Sequence, residues 1–182
     1  MTKINLHGKT LECVQGNIAH QPDMEAIVNA ANAELRPGGG VAGAIHRAAG
    51  PELEKECRHL APIRPGQAII TGAHNLPNQY VIHCLGPIYG IDQTPDISLA
   101  SCYQNALQLA EENKIASIAF PAISTGAFGY PLELAAEVAF KTINAILPRL
   151  SSVKHTRFVL FHGADVRIYE NVLGSIGSKD AK

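Results

Sequence analysis

Short apolar runs alternate with amphipathic stretches along this chain, and the alternation predicts its secondary structure. Seven runs have the length and the bounding turn residues of β-strands, and they cover residues 4–6, 11–14, 25–29, 67–71, 80–85, 117–120 and 157–161. The first two surround Gly8 and Lys9, which predicts an opening hairpin. Apolar positions at helical spacing predict five helices, over residues 41–49, 51–60, 98–113, 132–147 and 166–173.

The order of these elements indicates the fold class. Continuous apolar strands are typical of sheets that are covered on both faces. The pattern therefore predicts an α/β fold, a three-layer α/β/α sandwich with a mixed, largely parallel central sheet. A length of 182 residues suits one domain, at roughly 100–200 residues per domain. We expect a single domain over residues 1–175 and a flexible tail over residues 176–182.

Charge and composition argue against several functions. The chain carries 15 Lys and Arg against 16 Asp and Glu, whereas proteins that bind nucleic acid through a broad surface usually have a basic face. A polyanionic ligand must be held locally, and bulk nucleic acid binding is not expected. No apolar run has the length of a signal peptide or of a membrane span, so we expect a cytoplasmic protein without a membrane partner. The four cysteines form no ligand-like pattern, which favours reduced, buried thiols and no metal site.

Three loops that follow predicted strands contain unusual residues. In open α/β sheets, ligands bind beside the carboxyl ends of the strands, so a site is expected in such loops. The first loop places Asn29 and Asn32 ahead of the three consecutive glycines 38–40. The second loop covers residues 121–131, and the third covers residues 161–165.

The glycine run points to an anion site that needs no cations. Glycine adopts positive φ without penalty, and successive N–H groups at the start of a helix can bind phosphate; the alternative is a tight strand-to-helix turn. A second glycine-containing loop, at residues 124–129, favours the phosphate interpretation, because two such loops could hold a diphosphate from both sides. The pattern G-x-G-x-x-G is absent after the first strand, which disfavours a nicotinamide oxidoreductase.

Two kinds of side chain in these loops suit a nucleotide sugar. Asn29 and Asn32 offer amide donors and acceptors to ribose hydroxyls, although one of the pair, for which we expect Asn29, caps the loop backbone instead. Phe128 lies between glycines, where its ring is either a platform for a sugar or base or a hydrophobic plug beneath the loop. These alternatives stay open at this point.

At these residues the sequence resembles the macrodomain family, whose members bind ADP-ribose. The likeness spans residues 4–173 and is carried by QGNI, AIVNAAN, GGGVAGAIHRAAGPEL, VIHCLGPIYG and AFPAISTGAFGYP. It is greatest to the MacroD-type branch, whose members hydrolyse ADP-ribosyl esters on protein carboxylates and also O-acetyl-ADP-ribose. The resemblance implies a sheet of six or so strands between helices and no cofactor. It also implies ADP-ribose, ADP-ribosylated proteins or O-acetyl-ADP-ribose as partners.

Carried over by position, the resemblance implies a role for each matching residue. Asn17 and Ile18 would meet the adenine edge, with Phe161 against the ring. Asn32 would bind the distal ribose, and His46 would lie near that sugar or, alternatively, pack against the sheet. The two glycine-containing loops would hold the distal ribose and the diphosphate through Gly38, Gly39, Gly40, Val41, Ala42, Ser124, Thr125, Gly126, Ala127 and Phe128. The four residues with an expected part in turnover are Asn32, Gly40, His46 and Phe128.

Two residues depart from the MacroD pattern. Asn17 stands where those enzymes usually have Asp, and a neutral hydrogen bond is roughly half as strong as a charge-assisted one, so we expect weaker adenine recognition. Ala42 replaces the Asp that is the usual candidate for activating the attacking water, a contribution typically worth about 10²–10⁴ in rate. A substrate phosphate could activate the water instead. The primary prediction is hydrolysis of ADP-ribosyl esters; the alternatives are an ADP-ribose reader without turnover and an ADP-ribose 1″-phosphate phosphatase.

Overall fold

One sheet organises the molecule in the computed structural model, which describes residues 2–177. Its strands are β1 (Thr2–Leu6), β2 (Lys9–Gln15), β3 (Ala26–Ala30), β4 (Ala68–Gly72), β5 (Tyr80–Cys84), β6 (Ser117–Phe120) and β7 (His155–Leu160). They lie in the order β1-β2-β7-β6-β3-β5-β4. The inner five strands are mutually parallel, and antiparallel β1 and β4 form the two edges. The predicted mixed, largely parallel sheet is confirmed, with seven strands rather than the six or so that the resemblance implies.

Five α-helices cover the two faces of the sheet. They are α1 (Gly40–Ala49), α2 (Pro51–Cys57), α3 (Pro95–Glu112), α4 (Leu132–Ile146) and α5 (Gly163–Gly177), and a short 3-10 helix, Leu147–Arg149, follows α4. One hydrophobic cluster joins α3, α4 and α5 to the sheet, and a second joins α1 and α2 to it. The predicted three-layer sandwich is therefore confirmed.

The helix ends differ slightly from the predicted ones. Helix α3 begins at Pro95 rather than at Ser98, because proline suits the first helical position, where no intrahelical N–H bond is lost. Helix α5 continues to Gly177, and Ile176 packs against the core. Residues 176 and 177 of the predicted tail thus belong to this helix. The remainder of the tail, residues 178–182, lies outside the described residues.

An aromatic cluster fixes the middle of the sheet. Phe158 on β7 packs against Phe140 of α4, with ring centroids 4.9 Å apart, and stacks on Phe120 at 5.7 Å. Aromatic pairs at such distances contribute about 0.5–1.5 kcal/mol each beyond the burial of their area. Because Phe120 is the last residue of β6, the loop that follows this strand starts from a rigid point.

Two further features are the character of the helices and the state of the thiols. No helix within residues 2–177 combines the length and the apolar character needed to cross a bilayer. All four cysteines are buried free thiols, as the sequence predicts. Burial raises the pKa of Cys13 to about 12 and that of Cys57 to about 11, so both thiols are protonated and unreactive at neutral pH.

Candidate active site

Five loops leave the same edge of the sheet, because the five inner strands are parallel. In spatial order they follow β2, β7, β6, β3 and β5, and they cover residues 16–25, 161–162, 121–131, 31–39 and 85–94. The topology therefore brings together the three loops in which the sequence predicts a site. It also adds the loop after β2, which carries Asn17 and Ile18, and the loop after β5.

The start of α1 offers open backbone donors. The helix has no side-chain N-cap, and the N–H of Gly43 donates to the carbonyl of Gly39. The N–H groups of Gly40, Val41 and Ala42 consequently have no partner within the part of the chain that the structure describes. Of the three glycines, only Gly40 has positive φ, at 55°. The conformational freedom of glycine is thus used at one position of the run.

Close packing holds this loop on its helix. A Cβ atom at Gly43 would lie 2.2 Å from the carbonyl oxygen of Gly38, so no larger residue fits there without moving the loop. The side chain of Ala42 is buried as well, and this residue can offer a ligand its N–H rather than its methyl group. The glycine run is therefore packed closely against the first turn of α1 at Gly38.

The loop after β6 presents a second set of donors. Ser124 has a left-handed φ of 66° and its side chain is buried. A Cβ at Gly86 would come within 2.0 Å of its Oγ, so Gly86 in the loop after β5 leaves the space that Ser124 occupies. Thr125 is half-buried, and its Oγ1 donates to the carbonyl of Ala122 at 2.8 Å within the same turn. The Ser124 side chain therefore lies inside the fold, and its backbone is the part that can meet a ligand.

The tip of the same loop is open. Gly126 and Ala127 are exposed, and among residues 2–177 no acceptor pairs with their N–H groups or with that of Phe128. Phe128 is half-buried and packs on the second hydrophobic cluster, against which Val41 of α1 also packs. The two loops thus share one hydrophobic base, and the Phe128 ring combines a buried edge with an accessible one.

The two asparagines differ in their roles, and not in the way that the sequence suggests. Asn32 Nδ2 donates to the carbonyl of Arg36 at 2.8 Å, and the Arg36 N–H donates to Asn32 Oδ1 at 2.9 Å. Asn32 therefore braces the loop, and the prediction that Asn29 does so is wrong. Asn29 is buried and donates from Nδ2 to His83 Nδ1 at 3.1 Å, because β3 and β5 place the two residues opposite each other. Each Asn32 bond leaves a further donor or acceptor position for a ligand.

A buried polar cluster beneath the glycine loop is a feature that sequence reasoning missed. His83 Nε2 lies 2.9 Å from Thr71 Oγ1, while its Nδ1 receives the Asn29 bond, so His83 donates to Thr71. Burial, with a smaller effect of nearby His46, lowers the pKa of His83 to about 3. The sequence signal for this cluster is the histidine inside the otherwise apolar strand YVIHCL, since a buried polar side chain needs hydrogen-bond partners.

His46 packs toward the sheet, as the second of its two predicted placements requires. Its side chain is buried, and its ring centroid lies 6.5 Å from that of His83. Neither ring nitrogen has a partner among the described residues, and burial lowers its pKa, against a smaller opposing effect of Glu54. His46 also borders a cavity of about 290 Å³ that Gly38, Arg47 and Glu54 help to line. A neutral imidazole thus lies behind the glycine loop.

Side chains hold the loop after β2 where it returns from the carboxyl end of β2 to the start of β3. Arg157 on β7 makes a bidentate ion pair with Asp23 and also donates from Nε to Glu12 at 2.7 Å. Its hydrogen bond to Gln21, at 3.0 Å, ties the same guanidinium to the loop after β2. Arg157 lowers the pKa of the Asp23 carboxyl. These contacts fix the loop that carries the predicted adenine-binding residues.

The predicted adenine-binding residues lie together at this end. Asn17 is exposed, and its Oδ1 accepts a hydrogen bond from the Ala19 N–H at 2.9 Å. The same oxygen keeps a second acceptor position for a ligand. Ile18 is buried, whereas Phe161 is 71% exposed at the end of the neighbouring strand. Gln15 Nε2 donates to the Phe161 carbonyl at 3.3 Å, which joins the two loops. An exposed phenyl ring beside an amide is a suitable environment for a planar base.

Metal ligands are not grouped at this edge. Over residues 2–177, no three His, Cys, Asp or Glu side chains are placed to hold a metal ion. The glycine run and the residues 124–129 contain no Lys or Arg. The chemistry on offer is that of backbone donors, amide side chains and two aromatic rings.

Comparison with known sequences agrees with this geometry. The family model of the Macro domain matches residues 28–139. The O-acetyl-ADP-ribose deacetylase of Klebsiella pneumoniae (strain 342) is 48% identical over 158 residues, which are 84% of this chain and 90% of that protein. The ADP-ribose glycohydrolase MACROD2 of Xenopus laevis is 48% identical over 163 residues, which are 88% of this chain but 39% of that longer protein.

Solved structures agree as well. The Oceanobacillus iheyensis macrodomain with ADP matches with a TM-score of 0.94 and 41% identity, over 98% of this chain and 97% of that one. The Trypanosoma brucei macrodomain in complex with ADP-ribose matches with a TM-score of 0.83 and 35% identity, over 90% of this chain and 69% of that one. Fold, sequence and the placement of the loops all lead to one assignment. The chain belongs to the Macro domain family.

Proposed function

We propose that this protein binds ADP-ribose along the carboxyl edge of its sheet and hydrolyses ADP-ribosyl esters. The adenine lies at the end formed by the loops after β2 and β7, near Asn17, Ile18 and Phe161. The diphosphate lies between the glycine run 38–40 and the loop tip 126–128. The distal ribose lies beside Asn32 and the Phe128 ring.

The observation that carries the proposal is the pair of open donor sets at one edge. The N–H groups of Gly40, Val41 and Ala42 face no protein acceptor within the described chain, and neither do those at the tip of the loop after β6. Hydrogen bonds to a charged group contribute about 1.5–3 kcal/mol each, and the start of α1 adds a favourable helix dipole. A few such bonds hold a diphosphate firmly without any cationic side chain.

The reaction is hydrolysis of the ester between the distal ribose and a carboxylic acid. Water supplies hydroxide to one product and a proton to the other, and the products are ADP-ribose and the free acid. Ala42 provides no carboxylate for this step, so we assign activation of the water to an oxygen of the substrate diphosphate. Asn32, on a loop that its own hydrogen bonds to Arg36 brace, orients the ribose, and positioning can carry much of catalysis.

The substrates that fit this pocket are O-acetyl-ADP-ribose and proteins mono-ADP-ribosylated on Glu or Asp. The relatives named for such activities support this assignment, as an O-acetyl-ADP-ribose deacetylase and an ADP-ribose glycohydrolase are among them. Four buried free thiols suit a reducing compartment, and we place the protein in the cytoplasm. Ala42 also favours one alternative, a reader that binds ADP-ribose without turnover.

A time course tests the proposal against that alternative. The protein is incubated in excess over a peptide mono-ADP-ribosylated on glutamate, and released ADP-ribose is measured alongside calorimetric titration with ADP-ribose. We expect binding together with release well above that in buffer. Binding without release would establish the reader, and absence of both would refute the proposed site.

A further inference from the structure

Exposed apolar side chains concentrate in one short segment next to the site. Of the seven large apolar side chains that are exposed among the described residues, four lie within ten residues of chain. Ile91 is 75% exposed and Ile97 is 60% exposed, and Tyr89 and Ile88 are exposed by 40% and 36%. We call residues 88–97 the apolar shelf. Exposed apolar patches mark interaction sites on monomeric proteins.

Specific contacts hold the shelf in place. The Tyr89 N–H donates to the carbonyl of Phe128 at 2.9 Å, and the Tyr89 ring packs on that of Tyr130 with centroids 4.7 Å apart. At the base of the shelf, Asp92 Oδ2 accepts a hydrogen bond from the Ile88 N–H at 2.6 Å. The segment that carries the exposed isoleucines is therefore hydrogen-bonded to the loop after β6.

The topology places the shelf beyond one end of the ligand. Along the sheet edge, the loop after β2 is at one end, and the loop after β5, which leads into the shelf, is at the other. The proposed order from adenine to distal ribose runs from β2 toward β3, and β5 is the next strand after β3. A group attached to the distal ribose leaves the cleft on the side where the shelf lies.

We infer that the apolar shelf binds the polypeptide next to the modified residue of an ADP-ribosylated protein and favours apolar side chains there. This inference rests on the proposed function, because it extends the same site to the protein portion of the substrate. Residues 85–113 contain no Lys or Arg, and the Asp92 carboxylate is engaged with backbone, so the shelf offers little attraction for an acidic segment. O-acetyl-ADP-ribose is too small to reach it.

The test compares substrates with and without a polypeptide. The double variant Ile91→Ser/Ile97→Ser removes the two most exposed side chains, and Leu60→Ser, which is 40% exposed in wild type and lies outside the shelf, is the matched control. We measure kcat/KM on O-acetyl-ADP-ribose and on two peptides ADP-ribosylated on glutamate, one with leucine and valine beside it and one with serine and glycine. The double variant should lose about tenfold on the apolar peptide and less than twofold on the other two substrates. The control should match wild type on all three.

The outcomes separate this inference from the proposed function. If wild type turns over none of the substrates, the proposed hydrolysis fails, and the inference is then decided by binding alone. Wild type should bind the apolar ADP-ribosylated peptide about tenfold more tightly than ADP-ribose, and the double variant should bind both equally. If the ratio of these two affinities is the same in the double variant as in wild type, the inference is overturned. Light scattering that shows a wild-type dimer and a monomeric double variant, with an unchanged substrate ratio, assigns the shelf to self-association and overturns it as well.

Discussion

The two ends of the proposed ligand cleft hold their loops by different means. At the glycine end, formed by the loops after β3 and β6, positive φ at Gly40 and Ser124 and the close approach of Gly43 to Gly38 set the backbone. At the adenine end, formed by the loops after β2 and β7, an ion pair and hydrogen bonds of Arg157 hold the loop after β2 through Asp23. One end is thus defined by backbone geometry and the other by side-chain contacts.

This difference determines which substitutions each end can tolerate. Backbone donors cannot be replaced by substitution, but they are lost when a side chain fills the space in front of them. A side chain that contacts the base can be replaced by another that also contacts it. Each such contact contributes about as much binding free energy as one hydrogen bond. We therefore expect severe losses from added bulk at the glycine end and modest changes from substitution at the adenine end.

The largest effect is expected for Gly40→Glu. The new carboxylate enters the open space in front of the donors and repels a diphosphate, so ADP-ribose affinity measured by calorimetry should fall by more than about 100-fold. Gly8→Glu is the matched control, because Gly8 also has positive φ, at 76°, with no atom within 4 Å of a new Cβ. Both variants carry backbone strain of about 1–2 kcal/mol. Equal loss of affinity in the two would show that strain, not the anion site, explains the effect.

A smaller loss, confined to turnover, is expected for Asn32→Ala. The variant removes both bonds to Arg36 and the amide that faces the ribose, so kcat on a glutamate-linked substrate should fall about 100-fold. The KM should change by less than about threefold, because the phosphate donors remain. A rise in KM with an unchanged kcat would instead make Asn32 a binding residue only.

Acid should weaken the fold through the buried histidines beneath the glycine end. The folded-state pKa of His83, about 3, lies below its unfolded value, so the unfolded state binds more protons as the pH falls below about 6.5. The free energy of unfolding should then decrease between pH 6.5 and 5 by up to about 1.4 kcal/mol per pH unit for this group. Urea unfolding at several pH values measures the slope. His83→Gln should reduce it, and an unchanged slope would contradict the assignment.

The smallest effect is expected for Asn17→Asp at the adenine end. A carboxylate accepts more strongly than an amide from the adenine amino group, and it can retain the bond from the Ala19 N–H. The Asn17→Asp variant should bind ADP-ribose about three- to fivefold more tightly than wild type. The Phe161→Ser variant should bind it less tightly, because the exposed ring is lost. No gain for Asn17→Asp would indicate that the residue does not reach the base.

The fold was predictable from sequence because its signals are local. Each strand and helix has its own apolar pattern, and β6 has the predicted bounds. The motif loops follow strands, and the parallel order of those strands brings the loops together. These features need no knowledge of distant contacts.

The details of the site depend on contacts between distant segments. Asn29 and Asn32 are alike in sequence, and only the register of β3 against β5 places Asn29 opposite His83. Likewise, the inward turn of Ser124 depends on the space that Gly86 leaves. Such pairings arise from the folded sheet, and the apolar spacing of either strand alone does not encode them.

In the proposed site, backbone donors and not cations hold the diphosphate. Calorimetric titration of ADP-ribose at about 50 and 500 mM salt tests this assignment, because cationic sites release counterions and weaken steeply with salt, whereas neutral donors do not. The dissociation constant should change by less than about twofold. A weakening of tenfold or more would contradict it and would show that charged side chains supply the binding energy.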